Sequence, residues 1–134
     1  MRQTKLPHDN AYTRIGTSKI HGVGVFAILP IKKGTFIFAG EDSTIVWVNK
    51  KIVAELPEEI RKIYDDFCIN RCDCYGAPSS FNNLSIGWYL NHSDNPNVLV
   101  DENYDFYAKS DILVGEELTV DYNSFEGCDE PFIP

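Results

Sequence analysis

No stretch of this sequence approaches the ~18 consecutive apolar residues that span a bilayer, and no apolar run follows Arg2 and Lys5 among the first ten residues. Neither a membrane anchor nor a secretion signal is expected. Positive charge is scarce: 12 Lys and Arg against 20 Asp and Glu leave a net charge of −8, the wrong sign for a nucleic-acid binder. From Asp94 onward Lys109 is the only basic residue, set against eleven acidic ones. Such a half would draw in a basic substrate, or simply form a solvated face. Internal repeats and low-complexity segments are missing, which excludes repeat architectures. Cysteine is limited to Cys68, Cys72, Cys74 and Cys128. Without a secretion signal these read as reduced thiols. Cys-x3-Cys-x-Cys is not a common zinc spacing, so no metal is expected, although a fourth ligand from Cys128 leaves that question open.

What is present is aromatic and β-branched. Aromatics form 13% of the 134 residues, enough for a large core or an aromatic-walled pocket. The length fits one domain. Residues 23–29 are an apolar run of strand length closed by Pro30. Residues 31–34 read as a turn, and 35–38 and 44–48 as two further strands. Pro57 opens the one clear helix: proline suits the first helical position, and Glu58 and Glu59 complement its positive end. Ile60, Ile63, Tyr64 and Phe67 follow on one face. Residues 68–83 read as loop, 84–90 as a helical turn, and 98–100, 106–108 and 118–122 as strands. The sum is a mostly β fold with few short helices.

Three segments carry candidate chemistry. His21-Gly22-Val23-Gly24-Val25-Phe26 has two glycines one residue apart, which allow a sharp bend and close approach to a ligand. It lacks the third glycine and the helix of a dinucleotide fingerprint, and alone it is a tight turn entering a strand. Asn91-His92-Ser93-Asp94-Asn95-Pro96-Asn97 is a polar cluster following Trp88-Tyr89-Leu90. It suits either a loop of side-chain turns or recognition of a polar ligand. A lone histidine there is more often structural than catalytic. The third segment, residues 108–122, is a turn and a strand ending in Asp121-Tyr122, where a tyrosine is usually packing.

In this order the segments resemble the SET domain family of protein-lysine methyltransferases. The phrases are Gly22-Val23-Gly24-Val25-Phe26-Ala27, Ile31-x-x-Gly34, Asn91-His92-Ser93 with Pro96-Asn97, and Asp111-Ile112-x-x-Gly115-Glu116-Glu117-Leu118-Thr119-x-Asp121-Tyr122. Phe38-Ala39-Gly40-Glu41 looks like the family's Tyr-x-Gly-Glu segment with Phe for Tyr. The resemblance implies a SET-domain fold of the β-clip type over residues 13–123, with small sheets and a C-terminal pseudoknot. A flexible leader over 1–12 would precede it, and a tail over 124–134 would close the pocket. It implies methyl transfer from S-adenosyl-L-methionine to a lysine amine through an aromatic channel. The backbone of His21, Gly22 and Val23, with Gly24 behind, would meet the cofactor. Asn91 would hold its amino-acid moiety, the His92 backbone would meet the adenine, and Phe132 would cover it. Tyr122 would be the catalytic tyrosine. Phe38, Phe106, Tyr107 and Phe125 would wall the channel, with plain core packing as the other reading of each.

The sequence also departs from the family pattern. Asp94 follows Asn-His-Ser where many histone-directed relatives carry cysteine, and the tail holds Cys128 alone, so the usual post-SET zinc site is not expected. The chain is similar in length to the small viral and bacterial members. Its expected partner is a basic protein or lysine-containing peptide, with no direct nucleic acid and no membrane. A homodimer through an exposed strand edge is compatible with so short a chain. The expected location is cytoplasmic, or nuclear or host-directed if the substrate is a histone. The alternative is a catalytically silent SET domain serving as a protein-interaction module, against which Tyr122 and Asn91 together argue.

Overall fold

The computed structural model of the protein describes residues 6–124. Strands β1 (Thr13–Thr17) and β2 (Val23–Ala27) form an antiparallel hairpin in register from Thr13 opposite Ala27 to Thr17 opposite Val23. The Ser18 N–H donates to the Gly22 carbonyl across its turn. Gly22 takes φ +48° there, a left-handed conformation that costs glycine little.

A second layer follows. Strand β3 (Val46–Asn49) leads into a single-turn helix α1 (Lys50–Ala54), which the sequence reading did not foresee. The Asn49 side chain caps it by accepting from the Lys51 N–H at 2.8 Å, satisfying one of the donors a helix start leaves open. Helix α2 (Glu58–Phe67) starts one residue later than expected, with Pro57 as its cap. None of its residues is fully buried. Its aromatic stripe is half-buried instead, Tyr64 packing on Tyr75 and Phe81, and Phe67 on Tyr89.

Residues 68–83, read as loop, contain a hairpin of β4 (Ile69–Arg71) and β5 (Cys74–Ala77), joined to β3 in the order β3-β5-β4. Strands of three and four residues are too short to display a period. Cys68 and Cys74 are buried free thiols. Cys72 is disulfide-bonded, which corrects the expectation that the thiols are all reduced. At Gly76 a Cβ would stand 2.8 and 2.9 Å from ring carbons of Trp47, its cross-strand partner, and 3.2 Å from Ile45. Trp47 rests in turn on Tyr104. Gly76→Ala is therefore expected to destabilise the fold by about 1–3 kcal/mol. Thermal unfolding beside the wild type checks this, and an unchanged midpoint would mean that Trp47 swings aside freely.

A 3₁₀ turn (Ile86–Tyr89) delivers the chain to β6 (Asn91–His92). Strands β7 (Val98–Val100) and β8 (Phe106–Ala108) pair with each other, and β9 (Glu117–Val120) ends in a 3₁₀ turn (Tyr122–Ser124). Residues 35–38, expected as a strand, make only one isolated bridge, Phe36 to Tyr107. Gly34 and Gly40, at φ +87° and +92°, bend the chain on either side of them. The first sheet is completed in the order β1-β2-β9-β6. The core lies between these elements: Val25, Ile31, Ile37, Val98, Ile112, Leu118 and Val120 are each 1% exposed or less. The observed architecture is mostly strand in small sheets, as the sequence reading expected.

Candidate active site

The pair β6–β9 is parallel, with Asn91 opposite Thr119 and His92 opposite Val120. Parallel neighbours need a long connection, and here the connection carries β7 and β8. Asn97 fastens β9 along its other edge, its Oδ1 accepting from the Thr119 N–H at 2.8 Å and its amide donating to the Glu117 carbonyl at 2.9 Å. The polar cluster of residues 91–97 is thus half structural: Asn97 locks the final strand, while Asn91 and His92 reach the site.

At the end of β9 the chain turns into Tyr122. Its N–H donates to His92 Nδ1 at 3.0 Å, and its hydroxyl donates to the Leu90 carbonyl at 2.6 Å. Because Nδ1 accepts, the hydrogen of a neutral imidazole sits on Nε2, which lies 2.9 Å from Asp94 Oδ1. The His92 and Tyr122 rings stand 5.2 Å apart. Potential ligand atoms of His92, Asp94 and Asp121 come within 4.8 Å of one another. Of these atoms, His92 Nδ1 accepts from the Tyr122 backbone N–H, so His92 holds the main chain at that tyrosine.

On the other side of β6 the Asn91 amide reaches the glycine turn. Its Nδ2 is 3.0 Å from the Val23 carbonyl and 3.2 Å from the His21 carbonyl. His21, Gly22 and Val23 are exposed, while Asn91 and Gly24 are buried beneath them. The two glycines serve different ends. Gly22 supplies the bend. Gly24 has ordinary φ but lies against a side chain, and a Cβ there would stand 2.3 Å from Glu117 Oε2 and 3.1 Å from Asn91 Nδ2.

A cavity of about 290 Å³ opens beside Tyr122. Leu90, Trp88, Phe106, Tyr104 and Val120 line it together with Glu41, Asp42, Asp65 and Asp66. Among its described lining residues none is Lys, Arg or His. These four carboxylates are ion-paired to no described residue. Burial pushes the Glu41 carboxyl above its ordinary range, and its Oε2 is buried without a hydrogen-bond partner among the described residues. Asp42 is held below its ordinary value chiefly by the Thr44 backbone N–H. Cys68 also lines the cavity, but burial, with Asp65 beside it, pushes its thiol up to about 12, so it is no nucleophile at neutral pH.

The expected residues separate accordingly. Tyr122 and Phe106 line the cavity. Phe38 is 6% exposed within the core and packs edge-on against Phe106, with ring centroids 5.8 Å apart. Tyr107 stacks on Phe36 instead, since neighbours on a strand point to opposite faces. Neither Phe38 nor Tyr107 is part of the cavity's described lining. Phe125 and Phe132 lie outside the described residues. The cavity carboxylates all precede Asp94, although the sequence reading placed the acidic attraction after it. Glu41 stood within a quoted motif without a role, and only its burial marks it out.

The family model of the SET domain matches residues 22–123 of this chain. Histone-lysine N-methyltransferase TRX1 of Oryza sativa subsp. japonica is 33% identical over 122 residues, 80% of this chain and 11% of that protein. The chain thus spans about a tenth of that relative's length. Among solved structures, a candidate histone methyltransferase of Plasmodium falciparum superimposes with a TM-score of 0.52 at 24% identity, covering 84% of this chain and 93% of that one. A humanized mutant of Chaetomium thermophilum Polycomb Repressive Complex 2, bound to the inhibitor GSK126, gives 0.59 at 18% identity, covering 86% and 15%. At these identities the two structures speak for the fold.

Proposed function

The chain belongs to the SET domain family, and on that premise we propose that it is an S-adenosylmethionine-dependent protein-lysine N-methyltransferase acting on basic proteins. The observation that carries the reading is the convergence of Tyr122, the Asn91-His92 pair and the glycine turn around one parallel strand pair, beside a cavity that is aromatic and acidic. The residues fit the cofactor: an exposed polar turn over a buried amide suits an amino-acid moiety. When bound, S-adenosylmethionine supplies a methyl group on a sulfonium centre.

This chain's residues would do the rest. A lysine amine, with a pKa of about 10.4 in water, must shed its proton before it can attack. The carboxylates draw the cation in, and the apolar wall near Tyr122 strips its water, which favours the neutral amine. Aromatic faces hold the cation meanwhile. Glu41, whose proton affinity is raised by burial, is the cavity group suited to take up the departing proton. The Tyr122 hydroxyl gives its hydrogen to Leu90, so toward the amine its oxygen would act as an acceptor.

The test is direct. The protein is mixed with isotope-labelled S-adenosylmethionine and with histones and ribosomal proteins, and mass spectrometry locates the added mass. Methylated lysine is the expected result; absence of both transfer and cofactor binding overturns the proposal. Attraction by carboxylates predicts that transfer to a basic peptide slows as salt shortens the Debye length from about 10 Å at 0.1 M to about 3 Å at 1 M. A salt-independent rate would remove steering from the account.

A further inference from the structure

Asn91 is 8% exposed, and its amide nitrogen faces four oxygens: Glu117 Oε2 at 2.9 Å, the Val23 carbonyl at 3.0 Å, Ser18 Oγ at 3.1 Å and the His21 carbonyl at 3.2 Å. Two carbonyls and a carboxylate only accept. The nitrogen must therefore face them, because the opposite orientation would set Oδ1 against three acceptors. Ser18 Oγ receives the N–H of Ile20 at 2.9 Å and of His21 at 3.3 Å. It lies 2.8 and 2.9 Å from the two Glu117 oxygens, so its own hydrogen goes to Glu117. The side-chain donors of the cluster thus run toward Glu117, the one side chain in it that accepts without donating.

We propose that Glu117 is a positioning residue for the cofactor. By receiving the hydrogens of Asn91 and Ser18, it fixes the Asn91 amide with Oδ1 turned away from the cluster. There Oδ1 offers an acceptor to the ammonium of the cofactor's amino-acid moiety. The same contacts hold the turn of residues 18–24 in its binding shape. This rests on the methyltransferase reading, in which Asn91 meets that moiety. Glycine at position 24 belongs to the same device, since any side chain there would displace the carboxylate.

The experiment measures S-adenosylmethionine binding by calorimetry, and kcat at saturating cofactor, for the wild type, Glu117→Ala, Glu117→Gln and Ser18→Ala. Glu117→Ala is expected to raise the Kd roughly tenfold, the effect of releasing the Asn91 amide from its charge-assisted hydrogen bond, with kcat within about twofold of the wild type. Glu117→Gln is expected to rescue binding. Oε2 is within reach of both Ser18 and Asn91, so a single carbonyl oxygen serves both. If Glu117→Ala does not fold, Ser18→Ala and Glu117→Gln carry the test. Wild-type affinity in Ser18→Ala and Glu117→Ala overturns the proposal. So does a glutamine variant as weak as the alanine one, or a lowered melting temperature with unaltered Kd. Wild-type protein that binds no cofactor overturns the methyltransferase reading itself, which is a separate result from a wild type that binds and variants that match it.

Discussion

Tyr122→Phe is expected to lower kcat by roughly two orders of magnitude, the usual effect of removing one preorganised polar contact from a reacting centre, while cofactor affinity changes little. The ring would stay, because the main-chain bond to His92 Nδ1 and the ring contact do not involve the hydroxyl. The oxygen would go, and with it the polar contact proposed for the incoming amine. Its hydrogen bond to the Leu90 carbonyl, at 2.6 Å, would go as well. That leaves a half-buried acceptor short of a partner, which costs about 1–3 kcal/mol of stability. A modest drop in melting temperature should therefore accompany the large loss of rate. Single-turnover transfer from labelled cofactor separates the two effects. A variant that keeps the wild-type rate would show that the Tyr122 hydroxyl is structural, and would favour the interaction-module reading.

Gly24→Ala is expected to weaken cofactor binding by roughly tenfold or more. The new Cβ would stand 2.3 Å from Glu117 Oε2 and 2.9 Å from its Cδ, far inside contact. These atoms are the end of a flexible side chain, so rotation of Glu117 relieves the clash and the fold survives at a cost of about 1–3 kcal/mol. The rotation takes Glu117 away from Asn91 and Ser18, and the turn loses its anchor. At Gly22 the situation is reversed. No atom lies within 4 Å of a Cβ there, but φ is +48°, so a substitution would strain the turn without touching Glu117. Calorimetric titration of Gly24→Ala with S-adenosylmethionine decides the matter; unaltered affinity would mean that the carboxylate is not needed where it lies.

Local pattern accounts for much of the fold. Helix α2 is legible because apolar residues recur at the helical period, and β2, β7 and β8 because β-branched and aromatic residues cluster between turn-forming neighbours. Short elements without such a cluster, such as α1 and the β4–β5 hairpin, are not. Their existence depends on an N-cap contact and on strand pairing rather than on any repeat of residue type. The segment before Glu41 failed for a related reason. Its β-branched and aromatic residues suit a strand, but the flanking glycines turn it away from a ladder and leave one bridge.

The site divides in the same way. By itself the sequence determined the chemistry available: which residue types stand in which order, hence the resemblance, the tyrosine, the Asn-His pair and the glycine turn. Only the tertiary structure decided what those residues touch. Glycine 24 looks like a second hinge in the sequence and is in fact space for Glu117. Phe38 and Tyr107 look like channel walls, yet one belongs to the core and the other stacks on Phe36. Acidic residues dominate the sequence after Asp94, yet the cavity gathers Glu41, Asp42, Asp65 and Asp66. The physical reason is that a period along the chain reports only which face a residue occupies. Which faces meet is set by the pairing of distant strands, and here the parallel pair of β6 with β9 joins residues 28 positions apart, Asn91 and Thr119.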